Sequence, residues 1–263
     1  MADIAIKRVP SWSQFLLAGI LVALVAGAFW VKTRPKLPTV DTARQESSDA
    51  LLALGIRLHN ARQYDSALKA YQQILLRDPA HPQAHYNIAQ IYNTRGQYAE
   101  ARREYEAALR GEPQCLDARL NLGVVLYRQK KLDPAAQAFR QVLQVSPRHP
   151  LALFNLGITL LELHRTDQAI RWLKEALKED PKRADTHYYL GVALGRKGRL
   201  QEAKASFQTA LALNPRQADA YMTLSTIYWA QGEKSLALEV NVLAGYAPDE
   251  AINNTPITTR RTP

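Results

Sequence analysis

One cysteine among 263 residues excludes a disulfide framework and a Cys-based zinc site, because each needs at least two thiols. No HExxH, GxSxG, Walker-type or GxGxxG stretch occurs, so none of the familiar hydrolytic or nucleotide-binding constellations is present. Cations outnumber acids to give +10, yet no segment is a dense basic block: Met1–Arg44 holds +4, Gln45–Pro248 holds +6, and the last 15 residues are balanced. Reading nucleic acid would require those cations to converge with aromatic side chains, and the spacing does not bring them together. A composition of 47% hydrophobic and 22% charged residues also excludes global disorder. Length alone suggests one or two globular domains.

The first positive feature is apolar. The 23 residues between Arg8 and Lys32 carry no charge, and Phe15–Val31 is an unbroken run of apolar and small residues. A helix rising about 1.5 Å per residue crosses a core of about 30 Å with roughly 20 residues. Trp12 and Trp30 fall at the two ends of that run, flanked by Lys7, Arg8, Lys32, Arg34 and Lys36, as interfacial indoles and cations do. The spacing predicts a transmembrane helix over residues 12–31 that follows a short tail, 1–11, and precedes a linker, 32–47. A cleaved signal peptide is the alternative, with Ala26-Gly27-Ala28 as the small-x-small site. Against it, the apolar run continues through Phe29, Trp30 and Val31 into a cationic stop. The Lys/Arg count on the two sides leans weakly to a cytoplasmic C-terminal domain.

The second feature is a period. Pro79, Pro113, Pro147, Pro181 and Pro215 are each 34 residues apart, and Ala67, Ala101, Ala135, Ala169, Ala203 and Ala237 recur at the same interval. Gly55, Gly123, Gly157 and Gly191 share that register, with Ala89 and Ser225 in the remaining two places. Each 34-mer holds two apolar patterns of three-to-four spacing, with a turn between them marked by Gly96, Gly198 or Gly232 in three cases, which predicts a helical hairpin. Small residues at the glycine and alanine positions let the helices of a hairpin approach closely. Proline stops the second helix where the chain reverses.

This pattern resembles the tetratricopeptide repeat (TPR). It reads Leu51, Leu54-Gly55, Leu58, Ala67, Tyr71, Pro79 in the first unit and Leu153, Leu156-Gly157, Leu160, Ala169, Leu173, Ala176, Pro181 in the fourth. The opening Trp of the family pattern is never present: His85 and His187 stand there and are expected to be packing residues. The sixth unit has Asn241 in place of its aromatic. The resemblance implies an all-α fold, a right-handed superhelical TPR α-solenoid of six hairpins behind the N-terminal transmembrane helix. The units are 48–81, 82–115, 116–149, 150–183, 184–217 and a degenerate 218–248. Residues 249–263 are expected to be a disordered polar tail.

In this family the first helix of each hairpin lines a concave groove. The corresponding positions here carry Asn87, Asn121 and Asn155 as a ladder able to pair with an extended peptide backbone. Tyr86, Leu120, Phe154, Ile158, Tyr188, Tyr189 and Tyr127 form an apolar, aromatic lining. Asp49, Asp117, Asp185 and Asp219 begin these helices; that acidic row would repel a C-terminal carboxylate and favours an apolar or basic segment.

The expected function is therefore a membrane-anchored scaffold, without catalysis, cofactor or metal. It binds membrane-associated protein partners in the assembly or maturation of a membrane or envelope complex, and touches lipid through residues 12–31. Nucleic acid and small-molecule substrates are not expected, and the expected location is a single-pass position in a bacterial plasma (inner) membrane. The alternatives are a permanent subunit of a large membrane complex, such as an electron-transfer or photosynthetic one, or a noncatalytic subunit supporting an envelope enzyme.

Overall fold

The structure, a computed structural model, describes residues 48–243. The expected transmembrane helix 12–31, the tail and linker around it, and the polar tail 249–263 lie outside the described residues. Among the described residues no helix is long and apolar enough to cross a membrane.

Twelve helices and no strands make up the described chain. They pair as hairpins: α1 (Ser48–Asn60) with α2 (Tyr64–Leu75), α3 (Pro82–Thr94) with α4 (Tyr98–Gly111), and α5 (Leu116–Arg128) with α6 (Leu132–Val145). The series continues with α7 (Pro150–Glu162) and α8 (Thr166–Glu179), α9 (Ala184–Arg196) and α10 (Leu200–Leu213), and α11 (Ala218–Ala230) and α12 (Lys234–Leu243). Each hairpin packs on the next. Successive first helices also meet directly, α1 with α3, α5 with α7 and α7 with α9, and no pair of second helices packs to the same extent. The first helices therefore lie on the inside of the curve.

One turn recurs inside every hairpin. Gly96, Gly198 and Gly232 adopt positive φ of 72°, 73° and 79°, and Arg62, Lys130 and His164 occupy the same register with φ of 59°, 60° and 57°. In the first hairpin Arg62 N–H donates to His59 C=O and Gln63 N–H to Leu58 C=O. The same two bonds close the other five turns, ending with Gly232 to Trp229 and Glu233 to Tyr228. This is the Schellman closure of a helix, which demands a left-handed residue. Glycine signals it in sequence, and the three side-chain-bearing residues do not.

The second helices end differently. Glu112, Ser146, Asp180 and Asn214 each leave the helix with φ between −127° and −137° and ψ between 82° and 89°. Each precedes a proline, whose Cδ excludes the helical conformation at the residue before it.

The small residues act through a side chain. A Cβ built on Gly55 would lie 2.3 Å from the Tyr71 ring, one on Gly123 2.5 Å from Phe139, and one on Gly157 2.7 Å from Leu173. Where a first helix carries this glycine, it is thus a seat for the large residue of its own second helix, rather than a point of backbone contact.

His85 and His187 do more than pack. Each Nε2 donates to the carbonyl of the preceding inter-repeat proline, Pro79 at 3.0 Å and Pro181 at 2.9 Å, and Arg119 makes the same bond to Pro113. His85 Nδ1 also faces Glu104 Oε2 at 2.7 Å. A polar side chain here ties the turn to the hairpin.

The interior is segmented. One group of buried residues joins hairpins one and two through Leu51, Tyr71 and Ile91, and a second joins two and three through Tyr105 and Val125. A third runs from Leu120 to Val240. Some cations pair between neighbouring turns: Arg95 with Asp65 at 2.8 Å, Arg165 with Asp133 at 3.0 Å, and Lys197 with Asp167 at 3.0 Å. Such exposed pairs are each worth well under about 1 kcal/mol.

Candidate functional site

The inner face is built from first helices that begin in two ways. In α3 and α7 a histidine side chain, His81 or His149, accepts from the amide of Ala84 or Ala152 at 3.3 Å, and a proline occupies the first helical position. In α5, α9 and α11 no side chain caps the start, and Asp117, Asp185 or Asp219 stands in the first turn instead. A carboxylate there meets the partial positive charge of the free amides. The acidic row of the groove edge is therefore also the means of starting uncapped helices.

The three asparagines do not form a ladder. Asn87 is buried, 5% exposed, and its Nδ2 has no hydrogen-bond partner. Asn121 is half-buried and donates through Nδ2 to the Tyr86 hydroxyl at 3.3 Å. Asn155 is half-buried on the inner helix α7. Only Asn121 and Asn155 thus retain accessible surface. Leu120 and Phe154 are corrected as well: at 6% and 8% exposed they are core residues, because the curvature that brings first helices together closes over them.

Across the seams a single relationship repeats. A residue in the second turn of one first helix meets the following register position of the next: Tyr86 with Asn121 at 3.3 Å, and Phe154 with Tyr189 at 5.8 Å between ring centres. Tyr86 also stands edge-on to Tyr105 at 5.9 Å, and Tyr188 lies 5.7 Å from Phe207. These rings brace the interior with one side and present the other.

Tyr127, Tyr188 and Tyr189 remain half-buried, together with Ile158. Burial raises the pKa of all three phenols first, and neighbouring carboxylates raise it further: Glu162 beside Tyr127, Asp219 beside Tyr188, and Asp185, Glu162 and Asp219 beside Tyr189. Arg128 acts in the opposite sense on Tyr127 and Tyr189, and Lys130 pairs with Glu162 at 3.4 Å. The structure thus gathers Tyr127, Glu162, Asp185, Tyr188, Tyr189 and Asp219 from four successive hairpins into one aromatic and acidic surface. Glu162, at the end of the inner helix α7, is absent from the candidates read from sequence. Such a surface can stack on aliphatic or guanidinium groups, accept hydrogen bonds and attract cations.

Comparison with known proteins follows the same line. A family model described as the cilia and flagella-associated protein 70 C-terminal domain, a TPR domain, matches residues 26–251. No curated protein matches the chain. Among solved structures, YrrB, described as a TPR protein with an unusual peptide-binding site, is 23% identical, with a TM-score of 0.61 over 69% of this chain and 94% of its own. PilF of Pseudomonas aeruginosa is 20% identical, with a TM-score of 0.65 over 76% of this chain and 91% of its own. MamA of Desulfovibrio magneticus RS-1 is 22% identical, with a TM-score of 0.59 over 67% of this chain and 97% of its own. At these identities the likeness is one of fold.

Proposed function

The chain belongs to the family of the cilia and flagella-associated protein 70 C-terminal domain, a tetratricopeptide-repeat family, and from that premise we propose that it is a noncatalytic adaptor, held at a membrane by residues 12–31, whose inner face binds a segment of a partner protein. The observation that carries this reading is the surface made by Tyr127, Glu162, Asp185, Tyr188, Tyr189 and Asp219, which no single hairpin could form. Its chemistry selects an extended or helical segment with aliphatic and Lys or Arg side chains, and disfavours a free carboxylate. The peptide-binding site described for YrrB supports the use of this fold for segments of other proteins.

The anchor rests on the uncharged run between Arg8 and Lys32 with its flanking Trp12 and Trp30. Tethering confines the array to the bilayer surface and raises its effective concentration for membrane partners. This suits assembly or maturation of a membrane or envelope complex, in a bacterial plasma membrane.

Site-directed photocrosslinking tests the reading. A photoreactive side chain at Tyr127 or Tyr189 in the membrane-associated full chain should give a discrete partner adduct, and one at Arg103 or Gln72 on second helices should not. Equal adducts from both sets would place the interface elsewhere. Resistance of the protein to alkaline extraction, lost on deleting residues 12–31, tests the anchor separately.

A further inference from the structure

The seams between hairpins are not alike, and two of them depart from the rest in three respects. First helices meet directly at three seams, α1 with α3, α5 with α7 and α7 with α9, whereas α3 with α5 and α9 with α11 do not meet to the same extent. Those two seams, between hairpins two and three and between five and six, carry Tyr86 and Tyr188 at a register position where the other three have Leu52, Leu120 and Phe154. Leu120 and Phe154 are closed over as core residues. Each tyrosine is half-buried and stands on a ring of its own hairpin, Tyr86 5.9 Å from Tyr105 and Tyr188 5.7 Å from Phe207. A phenol hydroxyl keeps a polar partner or water, so a neighbouring helix cannot close over it as it does over Leu or Phe.

The third departure lies on the covered side of the second helices. In one register Leu68, Ala136 and Ile170 are buried at their seams, and at the two exceptional seams the residue is Arg102 or Lys204. Arg102 pairs with Glu106 of its own helix at 3.7 Å, and its buried Nε has no partner. Lys204 reaches over the Tyr228 ring of α11 at 4.5 Å and to Glu233 at 3.3 Å. An apolar seam resists opening because water must be admitted to aliphatic surface, whereas a half-buried cation exchanges such contacts for water at small cost. An array is held by the sum of its neighbour interfaces, so it yields first at the two polar seams. The buried interior agrees at the first of them, where hairpins two and three are joined by the small group around Tyr105 and Val125. Across the second it continues through Ala220 and Leu224, so hairpin six can tilt and stay seated.

We propose that these two seams are hinges, about which the array bends as three bodies: hairpins one and two, hairpins three to five, and hairpin six. Of the inner surface described above, Tyr127, Glu162, Asp185, Tyr188 and Tyr189 belong to the middle body and Asp219 to the last. Bending at the second hinge moves one carboxylate against a fixed remainder, and hairpin six acts as a lid on a bound segment. The lid rests on the partner reading proposed above; the hinges do not.

Spin labels in one exposed register of the second helices measure the bends, by pulsed electron resonance on the detergent-solubilised full chain with Cys115→Ser. Gln137→Cys with Ala205→Cys stays inside the middle body. Arg103→Cys with Arg171→Cys spans the first hinge, and Arg171→Cys with Glu239→Cys spans the second. Both hinge-spanning distance distributions should be roughly twice as broad as the internal one. Lys204→Ile with Tyr188→Leu should narrow only the second, and Arg102→Leu with Tyr86→Leu only the first, an effect that fraying of a terminal hairpin would not produce. Equal widths for the three pairs, or widths that these substitutions leave unchanged, overturn the hinges. The widths are read without a partner, so their failure leaves the partner reading standing, and broad widths with failed photocrosslinking keep the hinges and remove the lid.

Discussion

The hydroxyl of Tyr86 accepts from Asn121 Nδ2 at 3.3 Å, across the seam between the second and third hairpins, and from Gln90 Nε2 at 2.9 Å within its own helix. An inner-face asparagine is thereby committed to the fold before any ligand arrives. Tyr86→Phe keeps the ring packed on Tyr105 and strands two half-buried amides. Each lost bond costs about 1 kcal/mol, so thermal unfolding should shift down by a few degrees. A double-mutant cycle with Asn121→Ala should show coupling, and additivity would mean that the bond contributes nothing. Asn155→Ala is then the cleaner probe of partner binding, because Asn87 is buried and Asn121 is engaged.

Gly157 seats Leu173, whose Cγ would lie 2.7 Å from an added Cβ. Gly157→Leu should therefore unfold the array around the fourth hairpin, read as loss of amide protection in α7 and α8. Gly195 lies within α9 with nothing within 4 Å of an added Cβ. Gly195→Ala should stabilise by about 0.5–1 kcal/mol through helix propensity alone. The opposite signs, measured by denaturant midpoints, separate seating from propensity.

Tyr71 and Tyr105 are fully buried with hydroxyls that lack a hydrogen-bond partner, and Phe139 and Phe207 fill the same register elsewhere. Replacing either tyrosine by Phe removes an orphaned polar group and should be neutral or stabilising by about 1 kcal/mol.

Burial also holds both phenols far above their usual range. Above about pH 10 the unfolded chain loses these protons while the folded chain keeps them, so stability must fall as pH rises. The double Phe variant should lose less between pH 9.5 and 11 than the wild type. Parallel melting-temperature profiles would contradict the assignment.

Arg62, Lys130 and His164 hold φ near 60° in turns where the other hairpins use glycine. Arg62→Gly should raise stability by about 1 kcal/mol by relieving the left-handed strain. Lys130→Gly should gain less, because Lys130 also pairs with Glu162 and lies 5.9 Å from the Tyr127 ring. Equal gains at the two sites would show that those contacts are idle.

The hairpin repeat was legible in the sequence because its devices are residue-specific: proline after five of the six second helices and a small residue opposite a large one. The three turns without glycine were not, since Arg, Lys and His carry no mark of a left-handed backbone. The inner face was legible only as a register. Leu120 and Phe154 occupy the same position as Tyr86 and Tyr188, and only the approach of neighbouring first helices decides which of them closes over. Asn87, Asn121 and Asn155 share one register position and differ in what the adjoining hairpin sets against them.

The segmented interior has an evolutionary reading. Because each hairpin packs only on its neighbours, a duplication or loss of one 34-residue unit disturbs only the seams beside it. The chain can thus lengthen or shorten by whole units without redesigning a shared centre. Selection on reach can act separately from selection on the chemistry of Tyr127, Tyr188 and Tyr189.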